Sequence, residues 1–342
     1  MAVATADQYA EMIDRAKAGS FAYPAINVSS SQTINSVLQG LTEAGSDGIL
    51  QVTTGGADYF AGQTVKARAT GAIAMARYVR EVAKNYPVTV AVHTDHCPKD
   101  ALDSFLLPVL EASEEEVKAG REPIFQSHMW DGSAVPLDEN IQIASELLPR
   151  LKNIGGLLEI EIGVVGGEED GVQHEGSNDA LYTTVGDVTK AVEALGLGEK
   201  GRYLSALTFG NVHGVYKPGN VKLRPELLGE IQTGIAEKFG TGEKPLDLVF
   251  HGGSGSTNEE IALAVRNGVI KMNIDTDTQY AYTRAIADYM FSNYGEVLKV
   301  DGEVGNKKKY DPRAWGKVAE TAMAARVIEA TKQLGSFGQS KG

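Results

Sequence analysis

Cysteine is almost missing from this chain. Cys97 stands alone among 342 residues, so no intramolecular disulfide can form, and a reducing compartment, by default the cytoplasm, is expected. Long apolar runs are missing as well: no stretch approaches the roughly 18 apolar residues that a membrane-spanning helix requires. The N-terminal MAVATADQYAEMIDRAKAGS has neither the basic flank nor the apolar centre of a secretory signal, so the glycosylation-like Asn27-Val28-Ser29 carries no weight. Positive charge is scarce. Thirty-two Lys and Arg against 45 Asp and Glu leave a net charge of −13, and the one basic run, Lys307 to Lys309, reads as a solvated loop. Nucleic acid and anionic membrane surfaces, which recruit dense basic patches, are thereby excluded as expected partners. An anionic substrate would have to meet a local positive field.

What is present is ordinary for a globular enzyme: 42% hydrophobic and 23% charged residues, with 39 glycines that suit tight connections. Thr5 with Gln8 forms a capping-box pattern, and Tyr9, Met12, Ile13 and Ala16 supply the apolar stripe of an N-terminal helix. Strand-like runs follow at 25–28, 48–53, 88–95, 124–130, 157–163, 203–210, 246–251 and 268–274. Between them lie helical spacings such as Ile34, Val37, Leu38 and Leu41, or Val188, Val192 and Leu195. Eight such units in succession fit a (β/α)8 barrel better than an open sheet, as a single domain over residues 1–342 with an extra N-terminal helix and a C-terminal helical extension. Parity within the strands agrees. Val88, Val90 and Val92, then Leu158, Ile160 and Ile162, then Ile270, Met272 and Ile274, are expected to face the helices. The alternating Thr89, Ala91, His93 and Asp95, Glu159 and Glu161, and Lys271, Asn273 and Asp275 then point inward. Buried charge needs partners, so an internal Glu159–Lys271 ion pair is expected, while Glu161, nearer its strand end, is placed to reach a metal.

Three histidines, His96, His213 and His251, fall at or just past strand ends, where such folds gather ligand groups. A lone histidine is usually a hydrogen-bonded structural residue, but three at equivalent ends of one face suit a zinc ion with an open position for substrate. His93 and His128 lie within strands, and His93 reads as a supporting hydrogen-bond group. Cys97 reads as a small buried residue. The glycine-rich His251-Gly252-Gly253-Ser254-Gly255-Ser256 and the segment Asn273-Ile274-Asp275-Thr276 follow strands seven and eight. Many barrels hold a phosphate there on backbone N–H groups and a helix N-terminus. The segment 163–171 after strand five, GVVGGEEDG, reads as a glycine-hinged acidic loop that is either an exposed turn or a lid carrying a general base.

HTDHCPKD, SHMWDGS, LEIEIGVVGGEEDGV, FGNVHGVYKPGNV, FHGGSGS, KMNIDTDTQ and YDPR, in that order from Pro24 to Arg313, resemble class II, metal-dependent fructose-1,6-bisphosphate aldolases of the longer type. The resemblance implies zinc on His96, His213 and His251, with Asp131 and Glu161 as alternative or second-site ligands for a further divalent ion. It implies reversible cleavage of fructose 1,6-bisphosphate to dihydroxyacetone phosphate and glyceraldehyde 3-phosphate. Asp95 would handle the C4 hydroxyl proton and Glu169 the carbon-bound proton of dihydroxyacetone phosphate. Gly214, Gly252, Ser254, Asp275 and Thr276 would bind the first phosphate, Asn27 and Asn273 would contact substrate, and Arg313 would clamp the second phosphate. Thr53 stands where longer members place a substrate-contacting serine; its hydroxyl is retained and its methyl narrows that corner. A monovalent cation and a homodimer are also implied. Tagatose-1,6-bisphosphate cleavage, a metal-dependent sugar-phosphate isomerase and a non-enzymatic binding protein are the rival readings. Asp95 as a C4 proton acceptor separates the aldolase from the isomerase.

Overall fold

The structure, a computed structural model, describes residues 3–341 except 164, 165, 170, 171, 175–181, 214–221, 254, 299–301 and 304; in 166–169, 172–174 and 212–213 the backbone alone is described. The strands are β1 Tyr23–Asn27, β2 Gly48–Val52, β3 Val90–Thr94, β4 Ser127–Trp130, β5 Leu157–Ile162, β6 Gly166–Glu169, β7 Val172–His174, β8 Tyr203–Leu207, β9 Val212–His213, β10 Leu248–Phe250 and β11 Val269–Ile274. Eight of them close a barrel in the order β1-β11-β10-β8-β5-β4-β3-β2. Every barrel pairing is parallel, and helices intervene along the chain, so this is the expected (β/α)8 barrel.

Each expected strand is present, but several are shorter than their apolar runs. The ladder over 203–210 stops at Leu207, and the one over 246–251 spans only Leu248–Phe250, because the following residues leave the barrel wall to build the loops at its mouth. Parity holds for Val90, Val92, Leu158, Ile160, Ile162, Met272 and Ile274, which pack in the outer cluster under the helices. Ile270 departs from it. The β10–β11 register advances from Leu248↔Val269 to Val249↔Lys271, and this extra residue on β11 turns Ile270 into the cluster beneath the barrel. The segment 163–171, expected as a loop, also differs: β6 and β7 pair antiparallel and β9 adds to β6, making a small three-stranded sheet beside the barrel end.

The N-terminal helix Ala6–Gly19 starts at Thr5 with both halves of the capping box made. Its buried Tyr9, Met12, Ile13 and Ala16 join Tyr23, Ala25, Ile49, Ala91, Leu157, Leu204, Val249 and Ile270 in one apolar cluster that fills the barrel's N-terminal end. The C-terminal helix Pro312–Leu334, begun by Asp311 accepting from the Arg313 N–H with Pro312 in the first turn, lies across the helices Ser31–Ala44 and Thr276–Ser292. The barrel is thus closed below and braced on one flank, which leaves the C-terminal strand ends as its open face.

Candidate active site

At the end of β3 the Asp95 N–H still donates to Val52 O at 2.9 Å, so the carboxylate is delivered by the barrel wall itself. The next residue breaks away. His96 has φ +33°, a left-handed conformation that a side-chain-bearing residue holds only when its surroundings fix it. Its Nδ1 lies 3.2 Å from Asp95 Oδ1 and its Nε2 3.6 Å from Glu161 Oε2. His251, just past β10, places Nδ1 3.1 Å from Glu161 Oε2 and Nε2 2.8 Å from Glu159 Oε1. Its carbonyl accepts from Asn211 Nδ2 at 2.8 Å, and the His96 and His251 rings stand 4.8 Å apart between centroids. One ligand atom from each of His96, Glu161 and His251 lies within 4.8 Å of the others, and all three residues are buried.

The electrostatics follow from packing imidazoles against carboxylates out of water. Burial opposes ionisation of Glu161, but hydrogen bonds to His251 and His96 outweigh it and hold the carboxyl well below the usual range. Burial likewise opposes protonation of His251, and its bonds to Glu159 and Glu161 outweigh that and raise its pKa to about 9. Glu159, buried but facing Lys271, is held down at about 2. The expected internal ion pair is therefore made: Lys271 Nζ is 2.9 Å from Glu159 Oε2, with both side chains buried. An ammonium so committed is a poor Schiff-base nucleophile. His93, hydrogen-bonded to Ser127 Oγ at 2.7 Å, is driven down to about 3 by burial and stays neutral at pH 7 in its supporting place. Burial also brings His128 to about 3 and pushes the Cys97 thiol up to about 12, which leaves that cysteine inert.

Asp95 lies at the centre of a second constellation. Its Oδ2 accepts from Asn27 Nδ2 and Gln51 Nε2, each at 3.0 Å, and its Oδ1 accepts from Asn273 Nδ2 at 3.0 Å. Burial pushes against its ionisation, but the charge and hydrogen bond of His96 prevail and keep it well below the usual carboxylate range. Asn273 is oriented in turn by Lys271, whose Nζ donates to Asn273 Oδ1 at 2.6 Å. Gln51 went unnoticed in the sequence. The available signal was parity, since Gln51 shares the inward face of β2 with Ile49, but one glutamine in an apolar strand belongs to no motif.

The remaining expected site residues divide. Asn27, Thr53 and Asp275 line one cavity of about 580 Å³, together with Tyr59, Gln279 and Trp315. Within it the Thr53 hydroxyl accepts from Gly56 N–H at 3.1 Å and caps the helix Thr54–Ala61, so its first role is to start that helix. Asp275 accepts from Gln279 Nε2 at 2.8 Å, and Thr276 opens the helix Thr276–Ser292. Gly252, at φ +61°, makes a turn open chiefly to glycine after β10, but the helix that follows is already capped by Thr257 and Glu260. The Asp131 carboxylate accepts from the Ser133 N–H at 3.0 Å and hydroxyl at 2.6 Å, and it lies outside the metal-capable groups found among the described residues. Arg313 is 84% exposed and forked onto Asp311, two residues before the cavity-lining Trp315. For His213 and Glu169 the backbone alone is described, on the paired strands β9 and β6, and Gly214 and Ser254 lie outside the described residues.

Two imidazoles and a carboxylate converging in a buried, negatively charged pocket form a donor set that fits a divalent ion of borderline softness. The neighbouring group of His93, Asp95 and Glu159 fits less well, because the Lys271 ammonium already neutralises Glu159. Comparison with known proteins agrees with this chemistry. A family model described as fructose-bisphosphate aldolase class-II matches residues 7–339. A fructose-bisphosphate aldolase of Streptomyces coelicolor is 65% identical over 341 residues, covering 99% of both chains. One from Mycobacterium tuberculosis (strain H37Rv) is 58% identical over 342 residues, again covering 99% of each. The crystal structure of fructose-bisphosphate aldolase from Campylobacter jejuni superposes with a TM-score of 0.88 at 38% identity, covering 99% of this chain and 97% of that one. With its barrel, its buried histidine–carboxylate cluster and these relatives, the chain belongs to the class-II fructose-bisphosphate aldolase family.

Proposed function

We propose that this chain reversibly cleaves fructose 1,6-bisphosphate into dihydroxyacetone phosphate and glyceraldehyde 3-phosphate, using zinc held by His96, His251 and His213, with Glu161 beside it. The observation that carries the reading is the buried His96–Glu161–His251 cluster set directly against the Asp95 carboxylate. When bound there, zinc supplies Lewis-acid polarisation of the substrate's ketone end. The chain's own groups supply positioning and proton transfer. Asp95, held ionised, takes the proton from the C4 hydroxyl as the C3–C4 bond breaks, and the electron pair stays with the ketone fragment. Glu169 then returns a proton to that carbon, or removes it in the direction of synthesis. The amides of Asn27 and Asn273, which donate to Asp95, would contact the substrate hydroxyls.

Gly214, Gly252, Ser254, Asp275 and Thr276 are assigned to the first phosphate. Arg313 is assigned to the second, and its exposed guanidinium would exchange Asp311 for that phosphate. A homodimer working in the cytoplasm completes the proposal. Turnover of purified protein on fructose 1,6-bisphosphate, followed by trapping both triose phosphates, tests the reaction, and tagatose 1,6-bisphosphate in parallel tests the stereochemical choice. Absence of cleavage by zinc-loaded protein would overturn it.

A further inference from the structure

We infer that Asn211 is a positioning residue for the first phosphate, which holds the His251–Gly252 peptide so that the Gly252 N–H faces the bound anion. The inference rests on the reading of Gly252 as a first-phosphate group and extends it to a side chain that acts through that peptide. Asn211 is buried in the connection that leaves β8, two residues before His213. Its Oδ1 accepts from the Phe209 N–H at 2.8 Å, and its Nδ2 donates to the His251 carbonyl at 2.8 Å. Phe209 is itself fixed: its carbonyl accepts from the Arg224 N–H at 2.8 Å, and its ring packs against Phe250 with centroids 4.8 Å apart. One amide therefore ties the loop after β8 to the loop after β10, at the residue where the glycine-rich turn begins.

A peptide unit is planar, so whatever holds its carbonyl also aims its N–H. In the trans form the two point in opposite directions. The β10 ladder ends at Phe250, and just past it the Asn211 amide holds the His251 carbonyl, which turns the Gly252 N–H away from the β8 loop. That N–H has no backbone acceptor among the described residues, and a backbone donor pinned in this way is preorganised for an anion. Gly252 turns at φ +61°, and at Gly253 an added Cβ would lie 2.1 Å from the Met272 side chain, so the turn is pressed against β11 directly beyond the held peptide. The His251 imidazole is held separately, by Glu159 and Glu161. Losing the Asn211 bond would thus release the peptide plane while the ring keeps its partners.

The test separates phosphate affinity from chemistry and from metal binding. Asn211→Ser keeps an acceptor for the Phe209 N–H and adds no charge, but its hydroxyl is too short to reach the His251 carbonyl. In zinc-loaded protein, KM for fructose 1,6-bisphosphate and the calorimetric Kd of dihydroxyacetone phosphate should both rise about 10-fold, the scale of one hydrogen bond to a charged group. The kcat and the zinc bound per chain should stay within about twofold of wild type, since binding common to ground and transition states is what is lost. Wild-type KM and Kd in the folded variant would overturn the inference. So would a fall in kcat and bound zinc at unchanged KM, or a parallel loss of zinc, kcat and substrate affinity, which mark a residue that holds the metal ligand or the fold. Should the Ser variant fail to fold, Asn211→Asp keeps the shape and sets an acceptor against the His251 carbonyl. Its raised KM should persist at high salt, and a rise that salt abolishes would be a through-space effect of the new charge and would overturn the inference. Ser254→Ala is the control for the underlying reading. If its KM is that of wild type, the loop is not the phosphate site; if its KM rises while that of Asn211→Ser does not, only the role of Asn211 fails.

Discussion

Individual side chains at the mouth of the barrel divide into those that carry charge and those that hold it in place. Asp95 and Glu169 are assigned different protons, so their alanine variants should separate. Asp95→Ala should lose about 100- to 10,000-fold in bisphosphate cleavage yet keep most of the hydrogen exchange into dihydroxyacetone phosphate, and Glu169→Ala should lose the exchange. Tritium or deuterium wash-in measured beside cleavage decides this, and normal cleavage by Asp95→Ala would end the assignment. Within the barrel, Lys271 and Glu159 are fully buried partners. Removing one leaves a bare buried charge, so Lys271→Met should cost about 3–5 kcal/mol in urea unfolding at pH 7. The sign with pH follows from Glu159, whose folded pKa of about 2 lies below its ordinary 4.5. Its contribution is present above pH 4.5 and lost as pH falls toward 2. Without Lys271 the folded pKa rises, so the deficit of the variant should shrink between pH 7 and pH 4; a deficit independent of pH would mean that the pair is not electrostatically coupled. This ion pair was legible in the sequence, because inward parity put a lysine and a glutamate in one apolar interior. The Gln51–Asp95 hydrogen bond was not, because it joins residues 44 positions apart.

Helices and strands show the same division between pattern and contact. All eight barrel strands were legible as largely apolar runs, six of them ended or directly followed by Gly, Asp or His, since the outward face of each strand packs under helices and must be apolar. Their ends were less so. The bulge that turns Ile270 inward and the β6–β7 hairpin within an acidic glycine segment depend on register with a partner strand, which no local pattern encodes. Close helix packing is equally invisible locally. At Gly71 an added Cβ would lie 1.8 Å from Ala57 O, where the helix Arg68–Val82 crosses Thr54–Ala61, whereas at Gly316 it would meet nothing within 4 Å. Gly71→Ala should therefore destabilise by about 1–3 kcal/mol through overpacking. Gly316→Ala, in the second turn of the C-terminal helix, should stabilise by about 0.5–1 kcal/mol through the lower entropy of the unfolded chain. Thermal or urea unfolding of the two variants checks both signs, and equal effects would show that neither glycine is set by its surroundings.

For the whole molecule, a net charge of −13 and a site lined with carboxylates oppose an anionic bisphosphate, so under the proposed reading the metal and Arg313 must supply the compensation locally. The barrel is plugged below by the N-terminal helix and braced by the C-terminal one, and Asp95, Glu161, His96 and His251 meet at its mouth. Among the described residues the one lysine inside the barrel, Lys271, is bound to Glu159, and what the arrangement offers is a pocket of candidate metal ligands. The most direct test of this account is the rate of fructose 1,6-bisphosphate cleavage before chelation, after it, and after return of Zn²⁺, with borohydride added to a parallel sample containing substrate. Activity that vanishes with the chelator, returns with the metal and is untouched by borohydride is the predicted result. Activity indifferent to the chelator and lost to borohydride through Lys271 would contradict it.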